Sequence, residues 1–290
     1  MWLPYASEAF DRHRLRLAAD AFLGPGGSYP VVVATDLVVK FFGFAGEWHA
    51  TWENERRAYQ RLAQDDRIRV PKLIAHGVLF PGEPEPLPYL ILTRMRGQSW
   101  CEVSLEIDQR ITIASELGQQ LRLIHTLPHD GLPSIAHWQT GTAGDGARLG
   151  AFPSELVNKV DAWIDTVPVA PPCFVHSDIF ERHPLVANGH LTGIIDWGDA
   201  MAADPHVELA KLHLDVFAGD RRLLRAFIDG YEWPVDADFA RRALAMALRR
   251  HAQIHGQHGP GGDVFYRLPE LLAGTRIRDL DSLAEQLFSP

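Results

Sequence analysis

FVHSDIFERH, residues 174–183, runs directly into PLVANGHLTGIIDWGDA, residues 184–200. Asp178 follows the apolar Cys173-Phe174-Val175 and His176-Ser177. This places a carboxylate on a loop leaving a short strand. An Asp so placed can orient or accept the proton of a hydroxyl group. Asp196 ends a second β-like run, LTGII, where a carboxylate can bind the metal that bridges the β- and γ-phosphates of a nucleotide. His176 reads as a structural residue that bonds loop backbone. A single His-x-Asp pair identifies nothing; its value depends on what else the chain supplies.

Phosphoryl transfer also needs a cation on the nucleotide phosphates, held in place by a partner. Lys40 ends the apolar run LVVK, and Glu55 follows in ENERRAYQRLAQ, a segment of helical spacing. Each has a plainer reading alone: Lys40 as a solubilising edge-strand residue, Glu55 as part of a solvated helix face. GPGGSYP, residues 24–30, precedes the first strand, and its glycines would let backbone amides approach phosphate. It matches neither the G-x-G-x-x-G nor the Walker pattern, and a plain turn explains it equally well. Lys40, Glu55, Asp178 and Asp196 together, in this order, carry the signal.

The composition fits this reading. The chain has 290 residues, enough for two packed lobes, and 46% hydrophobic with 22% charged residues suits a globular protein. A net charge of −9 disfavours nucleic acid and would suit a cationic small molecule, although mild acidity also simply aids solubility. The first residues lack the apolar core of a signal peptide, and no window approaches the ~20 apolar residues of a membrane span. Two cysteines, Cys101 and Cys173, imply no disulfide framework. The expected form is a cytoplasmic monomer that binds neither nucleic acid nor membrane.

SYPVVVATDLVVKFFG reads as a hairpin, with runs at 31–33 and 37–42. RVPKLIAHGVLF and PYLILTRM give two further strands around the turn PGEPEPLP. Beyond Gly97 helices dominate: DQRITIASELGQQLRLIHTL is long and amphipathic, and SELVNKVDAWIDTV reads as another helix. The expected fold class is α+β, with a small antiparallel-sheet lobe over residues 1–95 and a larger, mainly helical lobe over 96–290. TRMRG is the connecting hinge.

These motifs resemble the aminoglycoside phosphotransferase and choline kinase superfamily, whose usual run is His-Gly-Asp, four residues, Asn, then an Ile-Asp-Trp/Phe strand. The resemblance covers nearly the whole chain, from about residue 24 to about residue 250. VVKFFG, MRGQSW and LHLDVFAGDRRLL are most similar to its hygromycin B phosphotransferase subgroup, which acts on a 7''-hydroxyl. The resemblance implies a bilobal protein-kinase-like fold and an ATP-dependent kinase, GTP being an alternative donor, with Mg²⁺. It implies a cationic aminoglycoside acceptor such as hygromycin B, and hence antibiotic inactivation. By position it implies Asp178 as catalytic residue, Asp196 as metal ligand, Lys40 and Glu55 as phosphate-binding pair, and Ser28 as nucleotide-loop residue. Thr93, Arg94 and Met95 would form the hinge whose backbone reads adenine. In DPHVELA, Glu208 stands where the family has Asp, and Asp204 reads as a helix cap.

His183 departs from the family, which has Asn there. Mg²⁺ prefers oxygen ligands. His183 therefore ligates the metal directly, acts through a bound water, phosphate or Asp178, or marks a decayed site that only binds nucleotide. Retention of Lys40, Asp178 and Asp196 speaks against decay. Acceptor-binding carboxylates are expected among Glu181, Asp199, Asp215, Glu232, Asp236 and Asp238. Trp197 and Trp233 read as core. His251, His255 and His258 share a helix spacing that could hold a metal, but an ordinary helix end is the simpler reading.

Overall fold

The structure is a computed structural model that describes residues 2–25, 27–43, 48–135, 142–258 and 263–290, with backbone alone at 255–258. The chain forms two compact units. The first comprises Met1–Gly97 together with Thr192–Ala200, and the second Gln98–Leu191 together with Met201–Pro290. The return of 192–200 to the first unit has no counterpart in the boundary read from sequence.

The first unit carries helix α1 (Trp2–Arg12), strands β1 (Phe22–Leu23), β2 (Val31–Val33) and β3 (Leu37–Phe41), helix α2 (Trp48–Leu62), and strands β4 (Leu73–Leu79) and β5 (Leu87–Thr93). The five strands form one antiparallel sheet in the order β1-β2-β3-β5-β4. The β-branched run VVV and the mostly apolar LVVKF favour this pairing. Ala6, Ala9 and Phe10 of α1 pack on Val32, Val39, Phe41, Tyr89 and Ile91. Alternation along β3 then sends Lys40 to the opposite face from Val39 and Phe41. Helix α2 buries Asn54, Glu55, Ala58, Tyr59 and Leu62, one face of a 3.6-residue period that includes two polar residues.

The second unit contains β6 (Gln98–Ser99), α3 (Ile107–His125), α4 (Ala143–Ala147), α5 (Val160–Ile164), β7 (Cys173–Val175), β8 (Pro184–Ala187), β9 (His190–Ile194), β10 (Met201–Ala203), α6 (Glu208–Lys211), α7 (Arg221–Tyr231), α8 (Phe239–His258), α9 (Leu268–Leu271) and α10 (Leu280–Phe288). The chain passes from the second unit to the first within β9. β7 pairs antiparallel with β10, so the strand leading to Asp178 is fixed on that side. Helices α3 and α7 cross on Gly118 and Gly230, where a Cβ would lie 2.1 Å from Phe227 O and Ser115 O respectively.

SELVNKVDAWIDTV is not one helix. It opens as a 3₁₀ turn at Val157–Lys159, and only Val160–Ile164 is α-helical. Val and Asn are poor helix formers, and the Asp161 carboxylate is drawn off to accept from the Gly144 amide at 2.9 Å.

His213 is buried, and its Nε2–H donates to Leu287 O at 2.8 Å, tying the segment after α6 to α10. Burial holds its pKa down at about 4 against an ordinary 6.5. A depressed histidine pKa contributes stability that is fully present above the unfolded value and lost as pH falls through the folded one. His213 is therefore expected to remove on the order of 3 kcal/mol as pH drops from 6.5 toward 4. Urea titrations at several pH values check this, and His213→Gln should flatten the dependence across that window.

Candidate active site

Lys40 does not lie on an edge strand. β3 is flanked by β2 and β5, with Lys40 opposite Val31 and Leu90, and only 7% of the residue is exposed. Its Nζ lies 2.7 Å from Glu55 Oε2 and 2.8 Å from Asp196 Oδ1. Glu55 is fully buried, so it is not part of a solvated face. Burial alone would lower the Lys40 pKa, but Asp196 and Glu55 more than offset this and hold the ammonium charged. Burial pushes Glu55 up, Lys40 draws it down and Asp196 pushes it up again, leaving it at about 7. One ammonium thus serves two carboxylates, with Tyr59 hydrogen-bonded beside them, its own pKa raised by burial and by both acids.

The segment carrying Asp196 is pinned at several points. Asn54 Nδ2 donates to Gly198 O and Ala200 O, both at 2.8 Å. Ile194 N donates to Arg69 O at 3.0 Å, and Trp197 Nε1 to Ile194 O at 3.1 Å. Trp197 is wholly buried, and Trp233 nearly so, as core residues. Asp196 itself adopts φ 65°, a left-handed backbone that costs a non-glycine residue ~1 kcal/mol or more and turns the chain sharply after the strand.

At the hinge, the Thr93 amide donates to Lys72 O at 2.9 Å and the Arg94 amide to Asp36 O at 2.8 Å. Both donors are engaged within the unit, so of the three hinge residues only Met95 keeps its amide outside these bonds. Ser28 is exposed in the turn before β2.

In the second unit, β7 delivers the loop holding His176, Ser177 and Asp178. Glu208 is buried and grips this loop: Oε1 accepts from His176 N at 2.5 Å, and Oε2 from Ser177 N at 3.1 Å. His176 is structural, its Nδ1 accepting from Asp178 N at 3.3 Å. Ser177 has φ 65°, which explains why the resembling family keeps glycine here. His183 Nδ1 lies 2.7 Å from the Asp178 carbonyl. A carbonyl only accepts, so Nδ1 carries the proton of this bond. Asp204 is a cap: its side chain accepts from His206 N at 2.9 Å and Ala170 N at 2.8 Å.

Two residues that the sequence reading did not single out meet the Asp178 carboxylate. Lys211 Nζ lies 2.6 Å and Arg250 Nη2 3.0 Å from the same oxygen, Oδ1. Burial works to raise the Asp178 pKa, but Lys211, Arg250 and His183 overcome it and hold the group below the ordinary carboxylate value. The carboxylate is therefore ionised at neutral pH, the form that can orient a hydroxyl and accept its proton.

Of the carboxylates expected to meet an acceptor, Glu232 pairs with Arg122, Asp236 with Arg242 and Asp238 with Arg241. Glu181 and Asp215 instead line a cavity of about 270 Å³ with Trp100, Arg110 and Arg267. His251 cannot serve a metal through a spare nitrogen: Nε2 donates to Gly146 O at 3.0 Å, and Nδ1 accepts from Val264 N at 3.3 Å. The side chains of His255 and His258 lie outside the described residues. Among the described residues no group of three or more His, Cys, Asp or Glu is placed to hold a metal. Asp196, its side chain 46% exposed and in excess over the single ammonium, fits a hard cation that takes most ligands from phosphate and water.

No helix among the described residues is long and apolar enough to cross a membrane.

The macrolide 2'-phosphotransferase of Brachybacterium faecium has 18% sequence identity and a TM-score of 0.59, covering 100% of this chain and 98% of that one. The GDP complex of aminoglycoside 2'-phosphotransferase-IIIa has 17% identity and a TM-score of 0.63, covering 98% and 95%. These likenesses establish the protein-kinase-like fold. In sequence, hygromycin-B 4-O-kinase of Escherichia coli is 30% identical over 80 residues, 28% of this chain and 22% of that protein. The protein named lysine-specific demethylase JMJ21 of Arabidopsis thaliana is 26% identical across 51% of this chain and 22% of its own length. The matches thus span about a fifth of each of these two relatives. The model of the phosphotransferase enzyme family (APH) matches residues 26–246, which include Lys40, Glu55, Asp178 and Asp196, and the chain belongs to that family.

Proposed function

We propose that the protein is an ATP-dependent O-phosphotransferase that phosphorylates a hydroxyl group of a small molecule, with a cationic aminoglycoside such as hygromycin B as the leading acceptor. The observation that carries this reading is the Lys40–Glu55–Asp196 cluster, at 2.7 and 2.8 Å, with Lys40 and Glu55 buried. Lys40, positioned by Glu55, binds the α- and β-phosphates, with Ser28 in the loop above them and the hinge at Thr93, Arg94 and Met95 receiving the base. Met95 is the amide left to donate to it. Asp196 would hold Mg²⁺, assisted by His183. When bound, the metal would supply charge neutralisation on the nucleotide phosphates. Asp178 orients the acceptor hydroxyl. Its oxygen bonds to Pγ as the Pγ–O bond to ADP breaks, the electron pair leaves with ADP, and the hydroxyl proton passes to the Asp178 carboxylate.

The amino groups of a cationic acceptor would meet Glu181 and Asp215. Lys211 and Arg250 beside Asp178 favour a second reading, a neutral or acidic hydroxylated metabolite, because they already neutralise the catalytic carboxylate. A mass-spectrometric screen with ATP, GTP and Mg²⁺ decides between them: hygromycin B first, then other aminoglycosides, macrolides, and neutral and acidic polyols. A phosphorylated aminoglycoside supports the first reading and a phosphorylated polyol the second. A rise in melting temperature with ATP but no product anywhere would mark a nucleotide-binding protein instead.

A further inference from the structure

Two cations meet one oxygen of the Asp178 carboxylate. Arg250 is enough to neutralise it: its side chain is 5% exposed, Nη2 bonds Asp178 Oδ1 at 3.0 Å, and Nη1 donates to Gln253 Oε1 at 2.5 Å. Lys211 then adds a second cation to the same oxygen at 2.6 Å. Lys211 and Arg250 thus share one carboxylate oxygen in a place mostly shielded from bulk water.

The two cations also differ in reach. Lys211 closes α6, its side chain is 22% exposed against 5% for Arg250, and its ammonium stands 5.2 Å from the centre of the Phe180 ring on the catalytic loop. A lysine ammonium is a compact charge on a flexible stem with three donors. It can keep one hydrogen bond to Asp178 while giving another to a newcomer. Any phosphoryl group attacked by a hydroxyl that Asp178 orients lies within bonding distance of that hydroxyl, and so beside Lys211. In the transition state of phosphoryl transfer, charge spreads over the three equatorial oxygens, and a well-placed cation there is worth roughly 10³–10⁵ in rate.

Building on the phosphotransferase reading, we propose that Lys211 is a catalytic cation that binds the phosphoryl group in flight, while Arg250 remains as the fixed counter-ion of Asp178. The acceptor oxygen bonds to Pγ as the Pγ–O bond to ADP breaks, and the electron pair leaves with ADP. The hydroxyl proton passes to Asp178. Lys211 keeps its protons throughout and exchanges one hydrogen bond on the carboxylate for one on a phosphoryl oxygen.

The test uses the full chain with ATP and Mg²⁺ and needs no knowledge of the acceptor, because water can take its place. Steady-state ATP hydrolysis is measured for wild type, Lys211→Met, which keeps the stem, and Lys211→Arg, which keeps the charge, each with its melting temperature. Expected is a fall in kcat of ~100-fold or more in Lys211→Met with KM for ATP within about threefold, and recovery to within about tenfold of wild type in Lys211→Arg. Unchanged hydrolysis in folded Lys211→Met would overturn the proposal and assign Lys211 to acceptor binding or to packing. Equal loss in both folded variants would also overturn it, because charge would then not be what matters. A wild type that neither hydrolyses ATP nor phosphorylates any acceptor overturns the phosphotransferase reading itself, and this inference with it.

Discussion

Asp178→Asn is expected to lower phosphate transfer by ~10²–10⁴-fold, the range for losing a positioned proton acceptor. The amide keeps the size of the carboxylate but can neither take the hydroxyl proton nor orient the hydroxyl as an anionic acceptor does. Lys211 and Arg250 would both lose their counter-ion at Oδ1. Removing one partner of a buried ion pair costs ~3–5 kcal/mol, so stability should fall as well. The rate is therefore to be compared at a temperature where the melting curve shows the variant folded. Retained nucleotide binding in that variant, read as the melting shift produced by ATP, separates lost chemistry from lost fold. Lys40, Glu55 and Asp196, which carry the proposed nucleotide half, are untouched by the change.

The largest expected effect on stability lies at the crossing of α3 and α7. Gly118→Ala would place a Cβ 2.1 Å from Phe227 O and 2.6 Å from Tyr231 N, and Gly230→Ala one 2.1 Å from Ser115 O. These neighbours are backbone atoms, so no rotamer change relieves the overlap and the helices must move apart. Overpacking a core ordinarily costs ~1–3 kcal/mol, and a clash with main chain belongs at or above ~3 kcal/mol. Denaturant midpoints measure this. Gly82→Ala, where the added Cβ meets nothing within 4 Å, is the control and should stay within ~0.5 kcal/mol of wild type.

Much of the fold was legible because local patterns and tertiary structure agree. The β-branched runs became β2 and β3, the Pro-rich turn separates β4 from β5, and the amphipathic run became α3. Lys40, Glu55, Asp178 and Asp196 could be named because their order along the chain is itself a signal. Their surroundings could not. Whether Lys40 lay at an edge or in the interior depends on β5 pairing beside β3, a contact between distant segments. The Lys211 and Arg250 contacts with Asp178 join α6 and α8 to the loop after β7, and no short-range pattern encodes such a meeting. Tyr59 is the exception: one helical turn after Glu55, it could have been placed on the same buried face from its spacing. The helix expected across SELVNKVDAWIDTV failed because poor helix formers and a side chain drawn to a neighbouring amide outweighed the apolar spacing.

The central claim is that this chain moves the γ-phosphoryl group of ATP onto a hydroxylated small molecule by means of Asp178. The most direct measurement follows γ-labelled phosphate in parallel reactions of wild type and folded Asp178→Asn, with hygromycin B and the wider acceptor panel. Label should enter a small-molecule acceptor with the wild type and stay in ATP with the variant. Label that never leaves ATP in the wild type while ATP still raises its melting temperature, or equal transfer by the two proteins, would contradict it.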